Sequence, residues 1–484
     1  MYNKYKAYFI KYWRCRLLAA IGVLCLMMQT SCKKFIQVPS PTTQLVTVDV
    51  FNNSATATSA ITNIYQEMYN NLESFNMAQS TGLMGDELIN YSSAAYNNQL
   101  YTNSMTASPG LYGPWTNAYN YIYQANAIIE GVENNNAIAS AIRQQLTGEG
   151  KFIRALWHFY LTNCYGDVPL VTSTSYKINS SLARSSKDLV YRQIIDDLKD
   201  AQNELNNNFV DASDTNTTTD RIRPNKWAAT ALLARAYLYL GKYDSAELSA
   251  TAVINHTTLF RLTGLDSVFL ANSNEAIWQL GIPLPNSLNT KDGYNFILQG
   301  APGDALGQTQ ALSLQLISAF ESGDNRKTIW VNYITTTAPD DTFYFPYKYK
   351  VYNSSAITEY TMMLRLGEQY LIRSEARVRQ SDFIGGIEDL NTVRKRAGLP
   401  DYSGSSDQAS LLKAVLHERQ IELFSEWGHR WFDMTRTGDI NSIMGAPGNV
   451  CQNKGGIWSS NWQLFPIPQT EIDNDPRLIQ NLGY

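Results

Sequence analysis

Two predicted loops carry the side chains best suited to bind a ligand. In both, aromatic rings stand beside amides, and tyrosine suits binding because its ring has an apolar face and its hydroxyl a polar tip. The candidate ligand-binding residues are Tyr91, Tyr96, Asn97, Asn98 and Tyr101 in the first loop and Tyr294, Asn295 and Phe296 in the second. The alternative interpretation is that these rings only pin their own loops to the protein.

The candidate catalytic motifs all fail on spacing. His417-Glu418 begins like the zinc-binding motif of metalloproteases, but Ile421 stands where the second histidine is required. The four histidines have no metal-ligand spacing. Asp86-Glu87 is the best pair of carboxyl groups, yet the carboxyl pair of a glycosidase must flank the scissile bond, which adjacent residues do not establish. The sequence therefore predicts no catalysis, no cofactor and no metal site.

A group of charged residues near the C-terminus has a structural interpretation. Glu418 and Glu422 stand at i and i+4, so on a helix they share a face and can pair with arginines of neighbouring helices. An ion network is therefore favoured over a catalytic cluster. Its expected members are His417, Glu418, Arg419, Glu422, Arg430 and Asp433.

The segment from residue 148 to 170 is the helix around which the others are expected to pack. Apolar residues recur in it at the helical spacing i, i+3, i+4, i+7 and i+11, and form one stripe that must be buried. Gly166 and Pro169 are expected to end this helix. His158, in its middle, is interpreted as a packed core residue. The stripe consists of Ile153, Leu156, Trp157, Tyr160 and Cys164.

The helices on either side follow the same amphipathic pattern. One is predicted from Val50 to Ile89, another from Pro114 to about Glu133 and a third from Lys187 to Asn206. Residues 86–112 have no helical period and are expected to form the first of the two binding loops.

Tetratricopeptide-like helix pairs follow. Residues 227–256 match one such unit, because small residues stand where two closely packed helices cross. Residues 363–400 form a looser copy with Gly386 in place of the expected alanine, and a third pair begins at Leu411. Between the copies, residues 260–360 contain two extended segments, NEAIWQLGI and TFYFPYKYKVY, and a glycine-rich loop. Long connections of this kind are uncommon unless they are functional.

The N-terminus indicates secretion and lipidation. A basic start is followed by an apolar run of 12 residues, Leu17 to Met28, which is too short to cross a bilayer as a helix and is typical of a secretory signal peptide. Thr30-Ser31-Cys32 resembles the end of a bacterial lipobox. We therefore expect a lipoprotein signal peptide at 1–31, a lipid anchor on Cys32 that attaches the protein to a membrane, and a tether at 32–49.

The bulk composition excludes several classes of protein. With 44% hydrophobic and 17% charged residues, the chain is globular rather than disordered. A net charge of -4 at pH 7 argues against binding of nucleic acid, which requires a basic patch. Of five cysteines, only Cys164 and Cys451 lie in the body of the chain, so no disulfide scaffold is expected.

Several short motifs, each weak alone, are specific in their order along the chain. They are Cys32-Lys33-Lys34-Phe35, Tyr165-Gly166-Asp167-Val168-Pro169-Leu170, Arg223-Pro224, Leu390-Asn391-Thr392-Val393-Arg394, His417-Glu418-Arg419 with Gly428-His429-Arg430-Trp431-Phe432-Asp433, and Leu464-Phe465-Pro466-Ile467-Pro468. Through them the chain resembles the SusD/RagB family, the lipid-anchored nutrient-binding proteins of outer-membrane uptake systems in Bacteroidota. The resemblance covers essentially the whole mature chain.

The resemblance implies a mostly α fold, in which tetratricopeptide-like helical hairpins support a loop-rich ligand-binding face with a few short strands. Residues 50–484 would form a single SusD-like domain. Its hairpins would lie mainly at 148–256 and 363–438, and its loop-rich insertions at about 86–112 and 260–360.

The same resemblance implies a function without catalysis. A protein of this family captures an oligosaccharide at the outer membrane, lipid-anchored and facing the cell exterior, and delivers it to a SusC-like TonB-dependent transporter. Sugar rings offer C–H faces to aromatic planes and hydroxyls to amides. The tyrosines and asparagines of the two predicted loops are therefore assigned to the sugar.

Two alternatives stay open. A tetratricopeptide-type scaffold lipoprotein would bind only protein through its concave helical face, but it would have little use for the long insertion between hairpins. Uptake of a peptide instead of a glycan is the other alternative, because the family includes members that take up peptides.

Overall fold

The computed structural model describes Trp13 and residues 50–107, 113–283, 288–336, 341–445 and 448–484. The predicted tether with Cys32, and the signal peptide apart from Trp13, lie outside these ranges. Within them, no helix combines the length and the apolar composition that a membrane span requires.

Helices dominate the secondary structure, as predicted, and the strands are few and short. The helices are α1 (Ser54–Asn70), α2 (Glu73–Met84), α3 (Ala95–Tyr101), α4 (Trp115–Val132), α5 (Ser140–Tyr165), α6 (Tyr176–Asn179), α7 (Lys187–Glu204), α8 (Lys226–Tyr239), α9 (Tyr243–Ile254), α10 (Lys291–Phe296), α11 (Leu314–Ala319), α12 (Asn325–Ile329), α13 (Leu366–Arg379), α14 (Phe383–Arg396), α15 (Gln408–Leu423), α16 (His429–Thr437), α17 (Ile440–Gly445), α18 (Val450–Asn453) and α19 (Gln469–Asn474), with a 3-10 helix at Ser460–Gln463. The strands are β1 (Leu88–Asn90), β2 (Ala276–Leu280), β3 (Gln310–Leu312), β4 (Val331–Thr335), β5 (Thr342–Pro346) and β6 (Thr361–Arg365). They pair antiparallel as β1–β3, β2–β6 and β4–β5.

The central helix α5 is longer and more deeply buried than its apolar stripe predicts. It begins at Ser140 rather than at residue 148, and it ends before Gly166, whose φ of +75° suits glycine. The five residues of the predicted stripe are buried, as expected, but burial is not confined to that stripe, because every residue from Gln145 to Tyr165 except Lys151 is buried. Charged residues can lie inside because they are paired, as in the 2.6 Å ion pair between Arg154 and Asp197.

The helix predicted from Val50 to Ile89 is two helices. Asn71 and Leu72 separate α1 from α2, and Leu72 adopts a left-handed conformation with a φ of +58°. The apolar period continues on both sides of this turn, which is why the pattern alone did not reveal it. The break turns α2 towards α3, with which it forms the site described below.

The predicted tetratricopeptide-like pairs are present as α8 with α9, α13 with α14 and α15 with α16. The first two stack because α9 packs against α13, and Ala234, Ala246, Ala250 and Ala376 lie buried in the cluster between them. Gly386 stands in place of alanine for a steric reason. A Cβ atom there would lie 2.5 Å from Val378 Cγ2, so α14 approaches α13 too closely for a methyl group.

The two predicted loops contain regular structure. Residues 86–112 were predicted to form a loop, but they include β1 and the short helix α3, and the predicted glycine-rich loop includes α10. Side-chain contacts precede both helices. Asp304 accepts hydrogen bonds from Ser92 and Ser93 in the turn before α3, and Thr290 caps α10 by accepting one from the Gly293 amide. The two extended segments predicted within 260–360 are confirmed as β2 and β5.

Candidate functional site

A concave pocket lies between α2, α3 and the start of α4. Its volume is about 410 Å³, within the range of small-molecule sites. Most of the lining surface is apolar, and amides, hydroxyls and one carboxyl group are placed among the apolar groups. The lining residues of this α2–α3 pocket are Glu73, Asn76, Met77, Gln79, Ser80, Ala95, Tyr96, Gln99, Gly113, Pro114 and Asn117.

Tyr96 is the predicted ligand residue that the structure places in this pocket. It stands in the first turn of α3 with its ring partly exposed, and its hydroxyl shares a 3.3 Å hydrogen bond with Ser80 Oγ from α2. The amide of Gln99 follows on the same face of α3, three residues later. The pocket therefore combines an aromatic face with amide and hydroxyl groups from two helices.

Glu73 is the pocket's carboxyl group. It is 4% exposed, and its Oε1 accepts hydrogen bonds from Asn117 Nδ2 at 2.7 Å and from the Tyr121 hydroxyl at 3.0 Å. Burial raises the pKa of Glu73 to about 7, against the smaller lowering effect of those two hydrogen bonds. Both donors are neutral, and no lysine, arginine or histidine is among the described residues that line the pocket.

Tyr91 lies outside the pocket, on a second aromatic surface. It follows β1, is 38% exposed, and packs edge-to-face on Phe343 of β5 with ring centroids 5.4 Å apart. In the hairpin of β4 and β5, Tyr333 lies directly across from Tyr344, and their ring centroids are 5.8 Å apart. Tyr91 and Phe343 lie on one side of this hairpin, and Tyr333 and Tyr344 lie on the other, because adjacent side chains of a strand point to opposite faces. We name these four residues, on the two sides of the hairpin, the hairpin surface.

The second predicted loop lies close to the hairpin surface. Tyr294 stacks on Tyr352 with ring centroids 5.0 Å apart and planes 11° from parallel. Tyr352 and Phe343 both pack against the small buried cluster of Ile297, Leu298 and Phe345. The structure therefore connects the Tyr91 and Tyr294 ends of the two predicted loops through one cluster.

Phe296 is a correction to the predicted set. Its side chain is 3% exposed and packs edge-to-face against Phe75 of α2, with ring centroids 4.9 Å apart. It is a core residue because α10 turns its apolar side towards α2, and it presents no face to a ligand at the surface.

The predicted amides and Tyr101 have protein partners of their own. Asn98 Oδ1 accepts a 2.7 Å hydrogen bond from Asn90, and Asn295 Nδ2 donates to the Lys291 carbonyl at 2.7 Å. Asn97 is partly exposed on α3 but does not line the pocket. Tyr101, half-buried at the end of α3, lies 5.0 Å from the ammonium group of Lys454. These four predicted residues therefore do not line the pocket.

The structure also adds residues that the sequence pattern did not identify. Glu73, Gln79 and Asn117 lie in segments predicted only as helices, and nothing in their spacing marks them as neighbours. Tyr333 and Tyr344 could have been identified in part from the sequence. The segment around Tyr344 was predicted to be extended, and side chains alternate between the two faces of a strand, so some of its aromatic rings are expected on an exposed face.

The charged candidates for chemistry are structural. Asp86 forms a 2.6 Å ion pair with Arg430, and burial, with the charge of Asp86, raises the pKa of Glu87 to about 8. Glu422 pairs with Arg365 at 2.5 Å and Arg326 at 2.9 Å, as the predicted ion network requires. His158 is fully buried, as expected for a core residue. The described residues contain no group of three or more histidine, cysteine, aspartate or glutamate side chains placed to hold a metal ion.

Fold and pocket define a predominantly helical protein of stacked hairpins, with a concave pocket lined by an aromatic ring and several amides. Two family models match the chain. Residues 318–484 match the model described as "SusD family", and residues 34–238 match the one described as "Starch-binding associating with outer membrane". The chain belongs to the SusD family.

Individual relatives agree with this assignment. SusD-like protein P25 of Formosa agariphila is 23% identical over 436 residues, which cover 76% of this chain and 79% of that protein. A crystal structure of a SusD superfamily protein from Parabacteroides distasonis superposes with a TM-score of 0.75 at 22% identity, covering 89% of this chain and 100% of the other. A structure named "Laminarin binding SusD-like protein" gives a TM-score of 0.70 at 22% identity with the same coverage.

Proposed function

We propose that this protein is a non-catalytic glycan-binding lipoprotein of the outer membrane, which captures an oligosaccharide and delivers it to a SusC-like TonB-dependent transporter. The observation that carries the proposal is the α2–α3 pocket, where the Tyr96 ring meets the amides of Gln79, Gln99 and Asn117. The names of the relatives agree with a carbohydrate ligand, since one matched family is described as starch-binding and one structural neighbour as laminarin-binding.

The pocket chemistry fits a sugar ring. A pyranose has a face of C–H groups, which an aromatic plane such as Tyr96 covers, and a rim of hydroxyls, which amides can bind as donors or acceptors. The Gln79 side chain makes no hydrogen bond with the part of the chain that the structure describes. Its amide is thus available to a hydroxyl group.

The exposed rings of the hairpin surface would extend this site. Tyr91 stands just before α3, so the aromatic surface continues from the segment that carries Tyr96. A glycan longer than the pocket would find further ring faces there. Anchoring through Cys32 beside a transporter would raise the local ligand concentration towards about the millimolar range, so that weak binding is sufficient for uptake.

Calorimetric titration with a panel of neutral glycans, and with peptides as the alternative ligand class, tests the proposal. We expect a glycan to bind and the Tyr96→Ala, Tyr294→Ala double variant to bind it at least about tenfold more weakly, because the stacking faces are lost. Tyr123→Ala is the matched control, since Tyr123 is 52% exposed on α4 and does not line the pocket. Unchanged affinity in the double variant, or binding of peptides alone, would contradict the proposal.

A further inference from the structure

One feature of the α2–α3 pocket is not needed to bind a neutral sugar: its carboxyl group. Glu73 is almost fully buried, and its two donors among the described residues, Asn117 and Tyr121, bind the same oxygen, Oε1. The other oxygen, Oε2, accepts no hydrogen bond from the described residues. Oε2 is not among the fully buried oxygens that lack a donor, so it is accessible from the pocket that Glu73 lines. A group that enters the pocket from outside can therefore bind to it.

The charge balance of the pocket narrows what that group can be. No lysine, arginine or histidine is among the described residues that line it, and Glu73 is its one carboxylate. The raised pKa of Glu73 agrees with this geometry, because burial dominates and no cation contributes to it. A uronic acid or a sulfated sugar would bring a second negative charge next to Glu73, whereas an ammonium group would supply the missing positive charge.

We propose that Glu73 makes the α2–α3 pocket selective for a sugar that carries a free amino group, with the ammonium paired to Glu73 Oε2 and the hydroxyls bound by the pocket amides. This inference rests on the proposed glycan-binding function and adds the ligand class to it. Glu73 is thereby a specificity-determining residue. The aromatic ring of Tyr96 and the amide of Gln99 serve amino sugars and neutral sugars alike.

The test compares three oligosaccharides of matched length by calorimetric titration at pH 7: one of glucosamine, one of N-acetylglucosamine and one of galacturonate. N-acetylation removes the charge, and the uronate reverses it. We expect the glucosamine oligosaccharide to bind at least about tenfold more tightly than its acetylated counterpart, because its ammonium group adds a hydrogen bond between charged groups. The galacturonate oligosaccharide should bind more weakly than either.

The Glu73→Gln variant separates charge from shape, because glutamine keeps the size of the side chain and an oxygen for Asn117 and Tyr121. We expect it to lose the preference for glucosamine while it still binds the acetylated sugar, and this retained binding shows that the variant is folded. Glu67→Gln is the matched control. Glu67 accepts hydrogen bonds from Asn63 and Gln124 and does not line the pocket, so this variant should keep the full preference.

Two results would overturn the inference and leave glycan binding intact: equal affinity for the charged and acetylated sugars, or a preference that survives in Glu73→Gln. Binding of none of the three while neutral glycans of the wider panel bind would also overturn the amino-sugar assignment alone. Failure of every glycan in both experiments would overturn the proposed function together with this inference.

Discussion

Two buried carboxylates have opposite electrostatic surroundings: Glu73 in the α2–α3 pocket and Glu422 on α15. Glu73 receives two neutral donors and no cation. Glu422 is fully buried and contacts three guanidinium groups, those of Arg326, Arg365 and Arg396. Burial acts on both, but around Glu422 the three arginines outweigh it and hold its pKa well below the usual range, whereas the pKa of Glu73 rises to about 7.

The difference separates the scaffold from the site. Where α13, α14 and α15 meet, each buried charge has partners within the protein, so the network can fix how the hairpins pack. In the α2–α3 pocket a charge is buried without such a partner, which weakens the fold locally and leaves binding capacity for a ligand. The same residue type thus indicates structure in one region and function in the other, and only its partners distinguish the two.

The largest expected effect comes from breaking the buried network. Glu422→Gln removes the carboxylate that three buried arginines share. Other carboxylates still pair with these arginines, but each arginine loses one charged hydrogen bond away from water. We therefore expect the free energy of unfolding to fall by about 3–5 kcal/mol in urea denaturation. Asp401→Asn is the control, because the Lys395–Asp401 pair at 3.0 Å is more than half exposed and should contribute less than about 1 kcal/mol. A Glu422 variant as stable as this control would show that the network is not needed for stability.

Glu73 should make stability depend on pH in the opposite direction from a paired carboxylate. Its pKa is about 7 in the folded protein against an ordinary value of 4.5, so between these pH values the folded state holds a proton that the unfolded state has released. Its stabilising effect is therefore complete below about pH 4.5 and is lost as the pH rises to 7. Glu73→Gln has no such loss, and relative to the parent protein it should gain up to about 3 kcal/mol between pH 5 and pH 8.

Urea denaturation of both proteins at several pH values measures this difference. Glu87 and Asp292, whose pKa values burial raises to about 8 and about 7, titrate in both proteins and cancel from the comparison. A stability difference that stays constant from pH 5 to pH 8 would mean that Glu73 ionises as freely in the folded protein as in the unfolded one.

The scaffold was more predictable from sequence than the site, for a physical reason. The helix pairs are encoded locally, by apolar residues at a period of 3.6 and by small residues such as Ala246 where the helices cross. The break between α1 and α2 was missed because the apolar period runs through Leu72. The short helices α3 and α10 have too few apolar positions to show a period, and the turn before α3 is held by Asp304, far away in the chain.

The pocket could be predicted only in part because it is assembled over long sequence distances. Tyr96 was identifiable, since exposed tyrosine beside amides is a local signal. Glu73 was not identifiable, because its raised pKa depends on burial beside Asn117 and Tyr121 of α4, without an arginine among the described residues that line the pocket. The burial of Phe296 likewise depends on Phe75, so local composition gave the wrong interpretation of an aromatic residue in a predicted loop.

The smallest expected effect concerns the hairpin surface. The pocket is expected to select the type of sugar, whereas the hairpin surface is expected only to add contact area for a longer glycan. Tyr333 is 58% exposed, and a ring of this kind contributes about 1 kcal/mol when a sugar stacks on it, or about fivefold in affinity. Tyr333→Ala should therefore weaken binding of a long oligosaccharide about fivefold in calorimetric titration and leave a short one of the same sugar unaffected, because only the long chain extends beyond the pocket. Tyr176→Ala, at an 81% exposed tyrosine on α6, should change neither affinity. If Tyr333→Ala weakens both lengths equally, the hairpin belongs to the pocket itself, and if it weakens neither, the glycan leaves the pocket in another direction.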